Sequence, residues 1–309
     1  MSALWPEGKD FAFSIFDDTD LATLENVGPV YALLSELGFL TTKSVWPLRG
    51  EGRPRIGGAT CEDEDYLAWV RELQARGFEI GLHNVAYHTS SREQTIFGLD
   101  RFRELFGHDP YTLANHAGCR ESIYWGSARL SGMQRLVYDV LLRGRRKGQF
   151  EGHVESSPLF WGDICRERVK YVRNFVFGQI DTLAACPPMP YHDPTRPHVR
   201  YWFASSEGPE VRSFNAMLSE ANQDRLAAAG GACIMYTHFA AGFCGPEGLD
   251  RSFRELMTRL SRLNGWFVPV HRLLDHLLET RGPLQLGRRQ RARLERRWLA
   301  HKLRTRGTS

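Results

Sequence analysis

The sequence predicts a single-domain α/β barrel built around a parallel sheet. Apolar runs rich in β-branched and aromatic residues alternate with longer helix-like stretches from near the amino terminus onward. The first of these runs, Phe11 to Phe16, is almost unbroken, as expected of a strand that is buried on both faces. A chain of 309 residues is within the size of one α/β barrel, and no linker or internal repeat divides it.

Each predicted element follows from a local pattern. Strands are short apolar runs bounded by polar or turn residues, at 11–16, 41–48, 78–83, 111–114, 201–205, 232–236 and 267–270. Helices are longer stretches with an apolar stripe, often ended by glycine, at 27–37, 63–76, 91–106, 134–142, 163–175, 211–229 and 251–263. The repeated order of strand and helix is the pattern of a parallel α/β fold.

Charge divides the chain into a barrel and a tail. Residues 281–309 hold ten Lys or Arg against one acid, so the rest of the chain is mildly acidic although the net charge is +4. We therefore predict a barrel over 1–281 and a basic tail over 282–309, with Leu294, Trp298, Leu299 and Leu303 at helical spacings. Such a tail suits peripheral contact with an anionic membrane or a protein partner, and specific nucleic-acid binding is not expected.

The amino-terminal residues and the cysteines indicate where the protein is located and which cysteine motifs it lacks. The first residues lack the order of a signal peptide, which predicts a cytoplasmic protein. The six cysteines are scattered without a Cys-x-x-Cys pair, which argues against a zinc knuckle or a thioredoxin-like motif.

Polar residues that follow the predicted strands are the candidates for function. In a parallel barrel, functional side chains come from the carboxyl ends of the strands. The residues in such positions are Asp17, Asp18, His83, His88, Asn115, His116, Ser206, Glu207 and His238. Two histidines and a carboxylate can hold zinc or a similar ion and leave positions open for water.

Three of these positions lie in motifs that resemble those of the polysaccharide deacetylases, the NodB-homology group. Phe16-Asp17-Asp18-Thr19 resembles the family's Thr-Phe-Asp-Asp-Gly, and Glu79 to His83 with His88 resembles its Glu-Ile-Gly-Asn-His…His motif. Met235 to His238 resembles the late apolar-x-His motif. The three occur in family order, although Thr19 replaces glycine and the histidine pair is one residue further apart.

The resemblance implies a deformed (β/α)7-8 barrel of the TIM-like type and a set of roles. Asp17 is then the general base, His238 the general acid, and Asp18, His83 and His88 the ligands of a divalent metal, with zinc favoured over cobalt, nickel or manganese. Binding of substrate is assigned to Asn115, His116, Arg120, Trp161 and Glu207. For His116 a place as a replacement ligand stays open, and Arg120 either orients Asp17 or forms a surface salt bridge.

The resulting hypothesis is a metal-dependent hydrolase that removes an N-acetyl or related acyl group from a sugar or polysaccharide precursor. Two alternatives stay open at this point. One is another carbon–nitrogen hydrolase on the same barrel, and the other is a catalytically silent barrel that binds glycans or serves as a scaffold.

Overall fold

The structure is a computed structural model that describes residues 5–141 and 149–305. The basic segment 143–147 and the last four residues of the tail lie outside the described residues. The strands, in chain order β1 to β12, are Phe11–Asp17, Thr42–Val45, Glu79–Leu82, Thr112–Leu113, Tyr171–Phe177, Tyr191–His192, Tyr201–Glu207, Ala232–Thr237, Cys244–Gly245, Gly248–Leu249, Gly265–Phe267 and Leu284–Gln285. The helices, α1 to α11, are Leu24–Glu36, Glu64–Ala75, Arg92–Phe106, Gly132–Leu141, Gly162–Arg168, Thr182–Ala185, Val211–Met217, Glu220–Ala229, Arg251–Ser261, Val270–Arg281 and Arg288–Thr305.

Seven parallel strands close into a barrel, which confirms the predicted fold class. Their order is β1, β2, β3, β4, β5, β7 and β8, and β8 pairs again with β1. Closure of the sheet brings the carboxyl ends of all seven strands to one mouth of the barrel. Inside the barrel, the ring of Phe16 from β1 lies against Phe203 from β7, with centroids 6.1 Å apart.

Strand β1 has two different neighbours on one side. Its first half, Phe11–Phe13, pairs with β11, and its last two residues pair with β2. On its other side it pairs with β8 along six residues. Every residue of β1 is buried as a result.

The predicted helix at 163–175 is wrong in its second half. The helix α5 ends at Arg168, and Tyr171–Phe177 is the barrel strand β5. This segment reads Tyr-Val-Arg-Asn-Phe-Val-Phe and is rich in aromatic and β-branched residues, which suits a strand. The predicted helix at 211–229 is likewise two helices, α7 and α8, and the predicted strand at 267–270 begins two residues earlier and ends at Phe267.

The carboxyl-terminal helix α11 packs on the barrel. Trp298 has no exposed surface and lies 5.7 Å from Phe175 of β5 and 5.8 Å from Tyr138 of α4 between ring centroids. The side chain of Glu295 is fully buried and accepts hydrogen bonds from Ser131. Leu294, Trp298 and Leu299 of the tail thus belong to the core, whereas Leu303 is exposed.

In the part of the chain that the structure describes, no helix is both long and apolar enough to cross a membrane.

Candidate functional site

The end of strand β1 sends its first carboxylate away from the barrel interior. Asp17 is fully buried, and its Oδ2 accepts bonds from Lys43 Nζ at 2.9 Å and from the Tyr31 hydroxyl at 3.0 Å. Its Oδ1 accepts the backbone N–H of Phe239 at 2.8 Å. Both oxygens of Asp17 therefore connect β1 to its neighbouring elements, and the sequence-based role as general base gains no support from this setting.

Asp18 points the other way because consecutive side chains of a strand alternate in direction. It forms a two-pronged ion pair with Arg173 of β5, at 2.8 and 2.5 Å, and both side chains are nearly inaccessible to solvent. The Arg173 guanidinium also lies 4.4 Å from the ring centre of Tyr236 and 5.2 Å from that of Phe16. A planar guanidinium that lies against two aromatic rings fixes the orientation of the carboxylate that it binds.

Asp20, two residues further, lies at the centre of three histidines. Its Oδ1 is 3.2 Å from His83 Nε2 and 3.1 Å from His116 Nδ1, and its Oδ2 is 3.2 Å from His238 Nε2. Burial raises the pKa of Asp20, but the neighbouring charge of His83 and the hydrogen bonds from His116, His238 and His83 hold it well below its usual value. Asp20 is thus an ionised carboxylate at neutral pH.

One hydrogen bond orients the ring of His83, and another fixes the backbone of His116. The Nδ1 of His83 donates to the carbonyl oxygen of Ala114 at 2.9 Å, which directs Nε2 at Asp20. Asn84, with a left-handed φ of 56°, accepts the backbone N–H of His116 through Oδ1 at 2.8 Å. Its amide nitrogen donates to the buried Glu121 carboxylate, whose pKa burial raises to about 7.

His238 follows β8 directly and completes the group. Its Nδ1 donates to the Pro209 carbonyl at 2.9 Å, so that Nε2 faces Asp20. Burial lowers the pKa of His238, but the hydrogen bond to Asp20 and the charges of Asp18 and Asp20 raise it to about 9. The imidazole therefore carries a proton at neutral pH beside two carboxylates.

The donor set fits a divalent metal ion. Within residues 5–141 and 149–305, one group of three potential ligands converges, namely Asp20, His83 and His116, whose ligand atoms lie within 4.8 Å of one another. The Oδ1 of Asp20 is buried, and ring nitrogens of His83 and His116 face it. Two imidazoles and one carboxylate match the ligand set of catalytic zinc sites, which keep a further position open.

The structure thus brings Asp20 and His116 to His83 where the sequence led us to expect Asp18 and His88. Asp18 is engaged by Arg173, as described above. The ring of His88 lies against Tyr87, with centroids 4.9 Å apart, and against the backbone of Gly50. A spacing of five residues places His88 on a different part of the loop from His83, and only His83 reaches the centre.

The other sequence-predicted residues have structural partners. Asn115 bonds both backbone groups of Ile123, and the Trp161 indole donates to the Glu121 carbonyl at 2.6 Å, so that both residues hold the loop after β4. Arg120 pairs with Glu151 at the surface, one of the two roles left open for it. Glu207, at the end of β7, binds His301 and Lys302 of α11.

Comparison with proteins of known sequence gives no assignment: no family model matches the chain, and no curated protein matches it. Comparison with solved structures does find matches. A protein from Mycobacterium smegmatis described as a polysaccharide deacetylase is 12% identical with a TM-score of 0.53, over 92% of this chain and 96% of the other. An allantoinase, PuuE, is 13% identical with a TM-score of 0.50, over 90% of this chain and 94% of the other.

A third match is a GH57-type branching enzyme from Pyrococcus horikoshii, 9% identical with a TM-score of 0.50, over 90% of this chain and 72% of the other. At such identities the likeness is one of fold. It confirms that the chain resembles the polysaccharide deacetylases in the architecture of its barrel. Because one fold hosts many reactions, the function has to be argued from the site itself.

Proposed function

We propose that this chain is a metal-dependent hydrolase that removes an N-acetyl or related acyl group from an amine of a sugar or of a polysaccharide precursor. The observation that carries the proposal is the convergence of Asp20, His83 and His116 at the mouth of the barrel, with Asp18 and His238 beside them. The class of substrate is taken from the sequence motifs and from the fold shared with the Mycobacterium smegmatis protein.

Asp20, His83 and His116 would hold the ion, most suitably zinc, in this proposal. Such an ion supplies a Lewis acid for the acyl carbonyl and lowers the pKa of a bound water. The hydrogen bond from the His83 ring to the Ala114 carbonyl keeps that ring in place, and the bond from the His116 backbone N–H to Asn84 fixes the chain at His116.

Asp18 and His238 would move the protons. Asp18, oriented by Arg173, accepts a proton from the water that attacks the acyl carbon, since a carboxylate bound by arginine still has free lone pairs. His238, whose Nδ1 is fixed by the Pro209 carbonyl, donates a proton from Nε2 to the leaving amine. This assignment moves the role of base from Asp17 to Asp18.

The ion can be measured directly. We expect the zinc-loaded protein to retain about one ion per chain after dialysis, and D20N and H116A to lose most of it because each removes a ligand. Elemental analysis gives the metal content. H88N is the matched control, since it alters a histidine of the same loop that lies outside the ligand group.

Activity separates the roles of the two acids. On a panel of N-acetylated amino sugars and oligosaccharides, D20N should lose ion and acetate release together. D18N should keep the ion and lose about 10² to 10⁴-fold in turnover. Full zinc in D20N and H116A, or its loss in H88N, would show that these residues do not form the site. A loaded protein that releases no acyl group from any member of the panel would contradict the proposed reaction.

A further inference from the structure

The outer face of helix α4 carries an apolar stripe that the barrel does not cover. Met133, Leu136, Val137 and Val140 are 68%, 57%, 36% and 65% exposed. Their spacing of three and four residues places them on one side of the helix. Tyr138, on the opposite side, is buried against Trp298 of α11. The packing of α4 on the rest of the chain therefore does not involve this stripe.

Helix α11, which packs against α4, exposes a row of positive charges. The two helices lie side by side, because Ser131 at the start of α4 bonds Glu295 and Tyr138 packs on Trp298. The exposed side of α11 bears Arg288, Arg289, Arg293, Arg296 and Arg304. The only acid of α11 is Glu295, which is fully buried. Two helices in contact thus carry an exposed apolar stripe, on α4, and an exposed cationic face without a carboxylate, on α11.

From this juxtaposition we propose that α4 and α11 form a docking surface for an anionic lipid membrane. Met133, Leu136 and Val140 enter the boundary between headgroups and acyl chains, and the arginines of α11 bind the lipid phosphates. The sequence assigned the apolar contact to Leu294, Trp298, Leu299 and Leu303; the first three are buried, and Leu303 is 52% exposed. The inference does not depend on the proposed function.

Charge distinguishes a membrane from other occupants. A second copy of the chain would bring further arginines of α11 to this face but no exposed carboxylate of α11 to pair with them. Binding of a single-stranded nucleic acid usually needs exposed aromatic rings, and the aromatic residues of the two helices, Tyr138 and Trp298, are both buried. An anionic lipid matches both parts of the surface, since its acyl chains suit the apolar stripe and its phosphate suits the arginines.

Vesicle sedimentation tests the proposal with the full chain. We expect binding to phosphatidylcholine vesicles with about 30% phosphatidylglycerol at low salt, and much weaker binding to pure phosphatidylcholine or at about 0.5 M NaCl. M133S/L136S/V140S should lower the partition coefficient by about tenfold or more. R293Q/R296Q should lower it by about tenfold.

Matched controls lie elsewhere on the surface. F97S removes an apolar side chain of α3 that is 62% exposed, and R251Q/R254Q removes two exposed arginines of α9. Both should bind vesicles like the wild type, and circular dichroism should show all variants folded. The proposal is overturned if the wild type does not bind anionic vesicles, or if the α4 variant binds as well as F97S. It is equally overturned if light scattering shows a dimer that only the α4 variant loses and vesicles are not bound.

Discussion

Three carboxylates within four residues have three separate partners at the end of β1. Asp17 leaves the strand on its outer side and meets Lys43, and Asp18 leaves on its inner side and meets Arg173. After the strand has ended, Thr19 turns the chain, and Asp20 reaches the histidines. The two ion pairs leave Asp20 as the one carboxylate of the three without a Lys or Arg partner among the described residues, which suits a metal ligand.

The pair of Asp17 and Lys43 should be a determinant of stability. D17N leaves the Lys43 ammonium, which has no exposed surface, without its counter-charge. Breaking a buried pair on one side typically costs about 3–5 kcal/mol of unfolding free energy. Urea unfolding of D17N against the wild type measures this loss.

The double variant D17N/K43M is the control for that prediction. It also removes the unpaired ammonium of Lys43 and should recover a large part of the lost stability, with the zinc content unchanged. A D17N protein as stable as the wild type but deficient in turnover would contradict this assignment. It would return Asp17 to the role of general base.

At the level of residues, the sequence points to most of the site. His83, His116 and His238 are visible because each follows a predicted strand, and the barrel brings those strand ends together. Asp20 is missed because it lies three residues beyond the strand, where the course of the loop decides its direction. An Asp-x-Asp spacing at Asp18 and Asp20 was the available signal. His88 could not be excluded, because its orientation also depends on the loop.

Helix α11 is tied to the rim of the barrel by one carboxylate. Glu207, at the end of β7, receives bonds from His301 and Lys302, and its side chain is 15% exposed. Burial raises the pKa of Glu207, but the hydrogen bond from His301 and the charge of Lys302 lower it to about 2. Burial also lowers the pKa of Lys302, which offsets part of the gain.

Acid should therefore loosen α11. Because the pKa of Glu207 is lower in the folded state, its stabilisation is present above the ordinary glutamate pKa near 4.5 and is lost as the pH falls toward about 2. We expect the wild type to exceed E207Q by about 1–2 kcal/mol in unfolding free energy at pH 6 and by nothing near pH 2. Urea unfolding across this range gives the difference.

A neighbouring glutamate provides the comparison for the acid experiment. Glu210 is exposed and starts α7, and E210Q should follow the wild type at every pH. A difference between wild type and E207Q that stays constant down to pH 2 would rule out the ion pair as its cause.

At the level of elements, prediction from sequence failed where one element followed another without a break. Residues 163–175 have neither glycine nor proline at the point where α5 gives way to β5, so the whole stretch was assigned to a helix. Because of this error, the sequence does not indicate Arg173 as a site residue. Arg173 can bind Asp18 only because it points into the barrel from β5. The earlier units were easier because Gly38, Gly77 and Gly107 mark the helix ends.

In the whole molecule, the carboxyl-terminal helix is part of the folding unit. Trp298 fills the space between Phe175 and Tyr138, and the guanidinium of Arg129 lies 4.6 Å from its ring centre. Arg291 pairs with the buried Asp193, and Glu295 with Arg196. The charge pattern of the tail gave no sign of this packing, because buried and exposed arginines are alike in sequence.

Truncation after residue 286 should cost most of the stability of the barrel. Loss of one buried tryptophan costs about 3–5 kcal/mol, and the truncation also leaves Asp193 and Arg196 with fewer partners. Since domains of this kind are stable by about 5–15 kcal/mol, we expect the shortened chain to aggregate or to unfold well below the wild-type temperature. Differential scanning calorimetry of the soluble fraction measures the effect.

W298F is the milder companion to that truncation and should remain folded with a lowered unfolding temperature. An unchanged unfolding temperature in the truncated chain would mean that α11 is an appendage of an independently stable barrel.

The split pairing of β1 has a consequence for the order in which the chain can be made and folded. The last two residues of β1 can pair early with β2, but its first half can pair with residues 265–267, and its other side with β8, only after most of the chain has been made. While the ribosome is still producing the intervening residues, a largely apolar strand has open edges that can pair with other chains. Contacts this distant in sequence also slow folding. A nascent chain of this protein should therefore depend on chaperones until its last barrel strands have emerged.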